Sequence, residues 1–337
     1  MGDEKTMGSM GMNFWKDKKV FITGADGFIG GWIAKTLIEK EANVTVVIRD
    51  TKREDSLDLH NIRKKVNIVK GDIVDYPLMQ RIMNEYSIQY VFHLAAQPLV
   101  EIATRSPLST FESNIKGTWN ILESARLTKT VEGVIVASSD KAYGNQEKLP
   151  YSEDQPLQGI YPYDASKVCT DVLTRSYFIS FGLPVIVTRN ANTYGGGDLN
   201  FGRMIPGAII SSLQGKEMNI RSDGTPERDF IYIIDVVNSY LSLAENIKNK
   251  NVVGNAFNTG SGNPIQVIDL FKLVTKLTGN KIEPKVLGEA TNEIDKQYLS
   301  TEKIKKTIGW KAKYTLEEGL KETIEWYRNY LVKKGKI

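Results

Sequence analysis

The chain has 337 residues but a single cysteine, Cys169, so it carries no disulfide framework and no cysteine-based metal site. It has only two histidines, His60 and His93, which argues against a His-rich metal site and against a Ser-His-Asp triad. No metal is therefore expected. No apolar run approaches the length of a membrane span. Neither sign of charge dominates: 44 basic and 40 acidic residues leave a net charge of +4, mixed along the chain. That balance gives no reason to expect a nucleic-acid or membrane partner. Internal repeats and low-complexity segments are also absent. A cytoplasmic location is the default expectation. Residues 1–16, rich in Gly and Met and without an apolar signal core, read as a disordered or tag-like stretch.

What remains is an ordinary globular composition, 41% hydrophobic and 25% charged, enough for one large domain or two moderate ones. Short apolar, β-rich runs recur: "KKVFITG", "NVTVVI", "KVNIVKGD", "IQYVFHLAA", "VEGVIVASS" and "LPVIVTRN". Between them lie helical patterns over 28–39, 77–86, 107–127 and 163–181. This alternation predicts an α/β fold with a Rossmann-type doubly wound parallel sheet. The dinucleotide-binding domain is expected over 17–193. Beyond it, over 194–337, glycines, short strands and helices mix less regularly. That part reads as a smaller, partly inserted substrate-binding region, with some segments returning to the sheet. The stretch "TLEEGLKETIEWYRNYL" reads as a terminal amphipathic helix.

The loop "GADGFIG" sets Gly24, Gly27 and Gly30 between the first strand and the first helix, with Phe28 and Ile29 opening that helix. A pyrophosphate can approach a helix N-terminus there because no side chains block it and the helix dipole favours an anion. Asp72, followed by Ile73, comes after the third strand, where a carboxylate can meet an adenine amine. "HLAA", with Leu94, Ala95 and Ala96, ends the fourth strand beside the expected nicotinamide. At the end of the second strand, "VVIRD" offers Arg49 before Asp50. A carboxylate there suits the ribose hydroxyls of NAD, and an arginine suits the extra phosphate of NADP. Arg49 leaves the strand first and Lys52 and Arg53 add positive charge, so NADP is the favoured expectation and NAD the alternative. The other reading of this segment is a solvated charged turn.

"YDASK" puts Tyr163 and Lys167 four residues apart, on one face of a predicted helix. The lysine charge can lower the phenol pKa, so that the phenolate takes a hydroxyl proton while hydride leaves the carbon. Taken alone, this spacing describes a surface pair more often than a site. In one chain with the glycine loop and a Ser/Asp-bearing fifth strand end, it points to a site.

These motifs, with "GDIVD", "VFHLAAQ", "SNIKGTWNILESAR", "TRNANTYGGGD", "RDFIYIIDV", "FNTGSG" and "IGWKAKYTLEEGL", resemble the extended short-chain dehydrogenase/reductase superfamily in its nucleotide-sugar branch. The resemblance runs from about residue 18 to 330. Within that branch, "ASSDKAYG" is the discriminating stretch. Epimerases that resemble this chain carry Ser or Thr after the fifth strand but no acid/base pair, whereas 4,6-dehydratases add Asp-Glu or Asp-Lys. Ser139-Asp140-Lys141 looks like the Asp-Lys kind, and "HLAAQPLV", "SSDKAYGN" and the "GGGD" stretch are most similar to CDP-glucose 4,6-dehydratases. The segment "RDFIYIIDV" and Ser139, in place of a threonine, depart from those enzymes, and Arg49 fits poorly with their NAD usage.

The resemblance implies transient oxidation at C4, loss of water across C5–C6 and hydride return to C6. Tyr163 would take the C4 hydroxyl proton, with Lys167 lowering its pKa and Ser139 orienting the same oxygen. Asp140, if kept protonated by burial, would supply the C6 proton, and Lys141, if burial depresses its pKa, would remove the C5 proton; the other readings of Lys141 are that it holds a phosphate or positions Asp140. Arg203 and Arg228 would hold the substrate pyrophosphate, Asn192 its phosphates and Gln97 the sugar. CDP-glucose is the first expectation for the substrate, ahead of UDP-, dTDP- or GDP-sugars, in deoxysugar or polysaccharide biosynthesis. The helices over 107–127 and 163–181 would form a homodimer interface. Two other readings stay open: a nucleotide-sugar 4-epimerase or 4-ketoreductase, for which Asp140-Lys141 is incidental, and a non-catalytic nicotinamide-binding regulator.

Overall fold

The computed structural model describes residues 13–50, 54–280, 282–289 and 294–337. Lys52 and Arg53, part of the argument for NADP, lie outside the described residues, as do residues 1–12 of the expected tag-like stretch. Residues 13–16 correct that reading where they are described. They form a turn in which Trp15 is wholly buried, and its indole N–H donates to Glu245 at 2.6 Å. An indole that finds both an apolar pocket and a carboxylate acceptor anchors its segment.

Six strands come from the first part of the chain: β1 (Lys19–Thr23), β2 (Asn43–Ile48), β3 (Asn67–Lys70), β4 (Tyr90–His93), β5 (Gly133–Ala137) and β6 (Val185–Asn190). Beyond them lie β7 (Asn192–Tyr194), β8 (Met218–Ile220), β9 (Glu227–Tyr232), β10 (Ala256–Thr259), β11 (Pro264–Gln266), β12 (Pro284–Val286) and β13 (Lys296–Gln297). The main sheet has seven strands in the order β10-β6-β5-β4-β1-β2-β3, with every pairing parallel. It is thus the doubly wound α/β sheet that the strand and helix alternation predicts, and β10, from the C-terminal part, forms one edge beside β6.

Burial on both faces explains the near-continuous apolar runs of these strands. On β1, Val20 and Ile22 enter one core layer and Phe21 the other; on β5, Ile135 faces the first and Val134 and Val136 the second. The pleat sends alternate side chains to opposite faces, so each strand needs apolar residues at every position.

A second sheet is built on β9, flanked by β11 and β13, with β7 pairing to β9; β8 and β12 form a separate pair. The helix expected over 107–127 is broken into three parts. Pro107–Phe111 and Gly117–Leu127 are α-helical, and Glu112–Lys116 between them is a π-helical turn. Such turns insert one extra residue and re-aim the side chains around them. Here Asn114 turns inward, where its carboxamide accepts from Gln97 N at 2.6 Å and donates to Ser166 at 2.9 Å.

Candidate active site

Chain order along the sheet reverses at β1 and β4, because β2 and β3 lie on one side and β4, β5 and β6 on the other. In open α/β sheets, ligands bind in the crevice beyond the carboxyl ends of the strands at such a point. A cavity of about 790 Å³ lies there. Its walls bring together all of the residues picked out for cofactor, substrate and catalysis.

One end is the glycine loop. Gly24 has φ +75°, and a Cβ on it would sit 2.8 Å from the Ala95 nitrogen. A Cβ on Gly30 would lie 2.2 Å from the Gly24 carbonyl oxygen. The turn therefore closes only with hydrogen at both positions. Gly27 is the N-cap of helix Phe28–Glu39, and no side chain caps that terminus. Thr23, at the end of β1, accepts from the Leu94 and Ala95 nitrogens at 3.2 and 3.1 Å and bonds His93 Nδ1 at 2.8 Å. These bonds pin the "HLAA" turn to the glycine loop. His93 is fully buried and pushed down to about 3, first by burial and then by the Lys167 charge, so it acts here as a neutral brace.

Beyond the loop, Arg49, Asp50, Asp72 and Ile73 line the same cavity. The Arg49 guanidinium lies 2.8 Å from Asp50 and 3.9 Å from Asp72. Hydrogen bonding to Asp50 raises its pKa further above the usual arginine value. An uncapped helix terminus, a glycine cradle and a carboxylate-lined far end fit a dinucleotide.

The middle of the cavity holds Ser139, Asp140, Lys141, Tyr163 and Lys167. Strand β5 ends at Ala137, and Ser139 caps the short 3₁₀ turn Asp140–Tyr143 by accepting from Lys141 N at 3.2 Å. The Ser139 hydroxyl donates to Asp140 Oδ1 at 3.0 Å and also bonds the Tyr163 phenol. Asp140 is only 4% exposed, and burial raises its carboxyl pKa against the opposing pull of Lys141, Ser139 and Arg228.

Helix Pro162–Phe181 carries Tyr163 and Lys167. The Lys167 ammonium donates to the Ala137 carbonyl at 2.8 Å and lies 6.0 Å from the centre of the Tyr163 ring. Burial lowers the lysine to about 8. The phenol is pushed up to about 12, because burial outweighs the Ser139 hydrogen bond. Burial is the largest influence on the phenol here, and the Lys167 ammonium is held by the Ala137 carbonyl.

Among the residues expected to meet a substrate, Arg203 pairs with the buried Asp198 at 3.1 Å. Arg228 is 8% exposed and donates to the Glu227 and Asp295 carbonyls at 2.9 and 3.3 Å. The Asn192 carboxamide donates to Asp229 O at 3.2 Å, and Gln97 Oε1 accepts from Leu99 N at 3.0 Å. All four line the cavity.

Two neighbours escaped the sequence reading. Asp164 follows Tyr163 directly and is 7% exposed. Its carboxyl is raised to about 6, mainly by burial; Lys141 lowers it and Asp140 raises it. It stands inside the quoted "YDASK", so adjacency to the tyrosine was an available signal. Gln297, on β13, is wholly buried, accepts from Lys141 Nζ and donates to the Asp140 carbonyl at 3.2 Å. It lies 156 residues from Lys141 in a stretch without a motif, and nothing in the sequence pointed to it.

A family model described as GDP-mannose 4,6 dehydratase matches residues 21–323. The chain is 31% identical over 313 residues to a trifunctional UDP-glucose 4,6-dehydratase/3,5-epimerase/reductase of Arabidopsis thaliana, covering 90% of this chain and 46% of that protein. The chain thus spans about half the length of that relative. It is 30% identical over 246 residues to the CDP-glucose 4,6-dehydratase of Salmonella typhimurium, covering 70% of this chain and 68% of the relative. Among solved structures, the UDP-glucose 4-epimerase of Thermotoga maritima superposes with a TM-score of 0.86 at 32% identity, covering 93% of this chain and 99% of that one. The dTDP-glucose 4,6-dehydratase of Bacillus anthracis, solved with NAD, superposes with a TM-score of 0.82 at 25% identity, covering 94% and 98%.

Proposed function

The chain belongs to the GDP-mannose 4,6 dehydratase family, and from that premise we propose that it is a nucleotide-sugar 4,6-dehydratase. The observation that carries this reading is the buried Asp140 and the cavity-lining Lys141 beside Ser139 and Tyr163. An epimerase moves hydride at one carbon and has no need of a second acid/base pair. A dehydratase must also take a proton from C5 and give one to the departing C6 hydroxyl.

The cradle of Gly24, Gly27 and Gly30 would hold a nicotinamide dinucleotide, which would supply a hydride acceptor for C4 and, once reduced, a hydride donor for C6. Tyr163 accepts the C4 hydroxyl proton, and Ser139 holds that oxygen. Lys141 removes the C5 proton, made acidic by the neighbouring ketone. Asp140, whose burial favours the protonated form, gives its proton to the C6 oxygen, which leaves as water, and the proton held on Lys141 then returns to C5. The sugar loses one water in total and keeps its oxidation balance, since C4 is oxidised and C6 reduced. Arg203 and Arg228 face the substrate pyrophosphate.

For the cofactor, the structure supports NAD over the NADP favoured by sequence order. Arg49 is already engaged by Asp50 and Asp72, two carboxylates that suit ribose hydroxyls and repel a further phosphate. The solved relative from Bacillus anthracis carries NAD. For the sugar nucleotide, the CDP-glucose 4,6-dehydratase relative keeps CDP-glucose as first choice. We also propose a homodimer. Leu108, Trp119, Val172 and Ile179, on the helices over 107–127 and 162–181, expose 72, 43, 54 and 77% of their surface, apolar side chains that a second copy can cover. Light scattering of the purified chain tests this, and a monomer at micromolar concentration overturns it.

A second reading, a 4-epimerase, is favoured by the likeness to the Thermotoga maritima enzyme. Mass spectrometry after incubation with CDP-, UDP-, dTDP- and GDP-sugars separates the two. Loss of one water from one sugar supports the dehydratase and names its substrate. An isomer of unchanged mass supports the epimerase and makes Asp140-Lys141 incidental. Binding of the dinucleotide without turnover of any sugar supports a regulator.

A further inference from the structure

We propose that Gln297 is a positioning residue for Lys141: its buried carboxamide holds the lysine amine against the cavity and supplies an acceptor that carries no charge. This rests on the dehydratase reading. The carboxamide bridges two parts of the catalytic turn, accepting from Lys141 Nζ and donating to the Asp140 carbonyl at 3.2 Å. It is wholly buried, on a strand packed behind the catalytic turn.

The strand that carries it is fixed from both sides. In β13, Gln297 is paired in register with Arg228 of β9, and the preceding Asp295 carbonyl accepts from the Arg228 guanidinium at 3.3 Å. A few residues on, Tyr151 N donates to Tyr298 O at 2.9 Å and Ser300 N to Tyr151 O at 2.8 Å. One short segment thus ties a candidate pyrophosphate arginine to the candidate C5 base.

Chemistry explains why an amide serves there. Lys141 already stands among the Asp140 and Asp164 carboxyls, with Tyr163 on the neighbouring helix and Arg228 on β9 acting on Asp140. A base must shed its proton to act at C5. A third carboxylate at position 297 would hold the ammonium form and oppose that loss. An apolar side chain would leave the amine without its anchor. Glutamine orients the amine and adds no net charge.

The test uses the full chain and two variants of nearly the same size, Gln297→Glu and Gln297→Met. Single-turnover experiments follow C4 oxidation and loss of water separately, across pH. With Gln297→Met, water loss is expected to slow at least about tenfold while C4 oxidation stays within about twofold. With Gln297→Glu, the rising limb of the water-loss profile is expected to move up by about 1–3 pH units. Equal losses in both steps with an unmoved profile, or no change in either variant, overturn the proposal. Should either variant fail to fold, NMR of the wild-type Lys141 side chain decides, with Lys141→Arg for assignment. A dispersed, slowly exchanging Nζ signal supports the anchor, and a solvent-like one overturns it. Should the wild-type protein dehydrate no nucleotide sugar, the functional reading fails by itself, and the same NMR measurement still judges the contact.

Discussion

Lys167 Nζ donates to the carbonyl of Ala137 at 2.8 Å, tying the helix that carries Tyr163 to the last residue of β5. The bond crosses 30 positions of sequence and sets the tyrosine beside Ser139, on the turn that continues from β5. Burial sets the Tyr163 phenol at about 12 and the lysine beside it at about 8.

The pH dependence of C4 oxidation follows from this. The phenolate is the competent base, and its fraction grows as pH approaches the raised phenol pKa. Single-turnover oxidation is expected to rise with pH from about 6 to 9, and Tyr163→Phe to lose about 10²–10⁴-fold with a flat profile. A wild-type rate that falls with pH in this range assigns the proton to another group.

Asp164 carries a cost that titrates. Its carboxyl rises from the ordinary aspartate value of 3.8 to about 6 in the folded chain, mainly through burial. A raised pKa means that the favourable contribution is fully present below about pH 4 and is lost as pH climbs through about 6. Asp164→Asn is therefore expected to gain stability on the wild type between pH 4 and pH 7, by on the order of 1–3 kcal/mol. Denaturant titrations at the two pH values check this; an unchanged difference removes Asp164 as the cause.

The glycine cradle makes a steric prediction. Gly30→Ala sets a methyl 2.2 Å from the Gly24 carbonyl oxygen, so the loop must shift. A loss of about 1–3 kcal/mol in stability is expected, with dinucleotide binding weakened more than thermal stability would suggest. Calorimetric titration with NAD and a melting curve measure the two effects. A variant that binds as tightly as the wild type places the dinucleotide elsewhere.

Cofactor choice turns on Arg49 and its two carboxylates. NAD is expected to bind at least about tenfold tighter than NADP, a difference of about 1.4 kcal/mol. Asp50→Ser, which frees the guanidinium and removes one negative charge, is expected to narrow the gap. Equal or tighter binding of NADP by the wild type restores the preference drawn from strand order.

The sheet was legible because burial on both faces demands unbroken apolar strands, and "GVIVA" and "NVTVVI" show that directly in the sequence. The glycine loop was legible because the close approach of Gly30 to Gly24 leaves no room for a side chain. The serine, aspartate and lysine after β5, and the tyrosine and lysine of the next helix, could be picked out as local patterns, each within five residues. The π-helical turn at Glu112–Lys116 could not, because its periodicity differs from that of a continuous helix by one residue and Asn114 is turned inward by distant partners. Buried Trp15 was hidden in a stretch whose composition resembles a tag.

Local chemistry in this protein is thus written in the order of its residues: which strands are buried, where the backbone must be bare, and which side chains can trade protons. Tertiary structure decided what those groups meet. Gln297 reaches Lys141 from 156 residues away, Asp50 and Asp72 engage Arg49, and burial sends the Tyr163 phenol up. The physical reason is the same in each case. Desolvation and pairing belong to the space around a group, and that space is filled by segments remote in the chain.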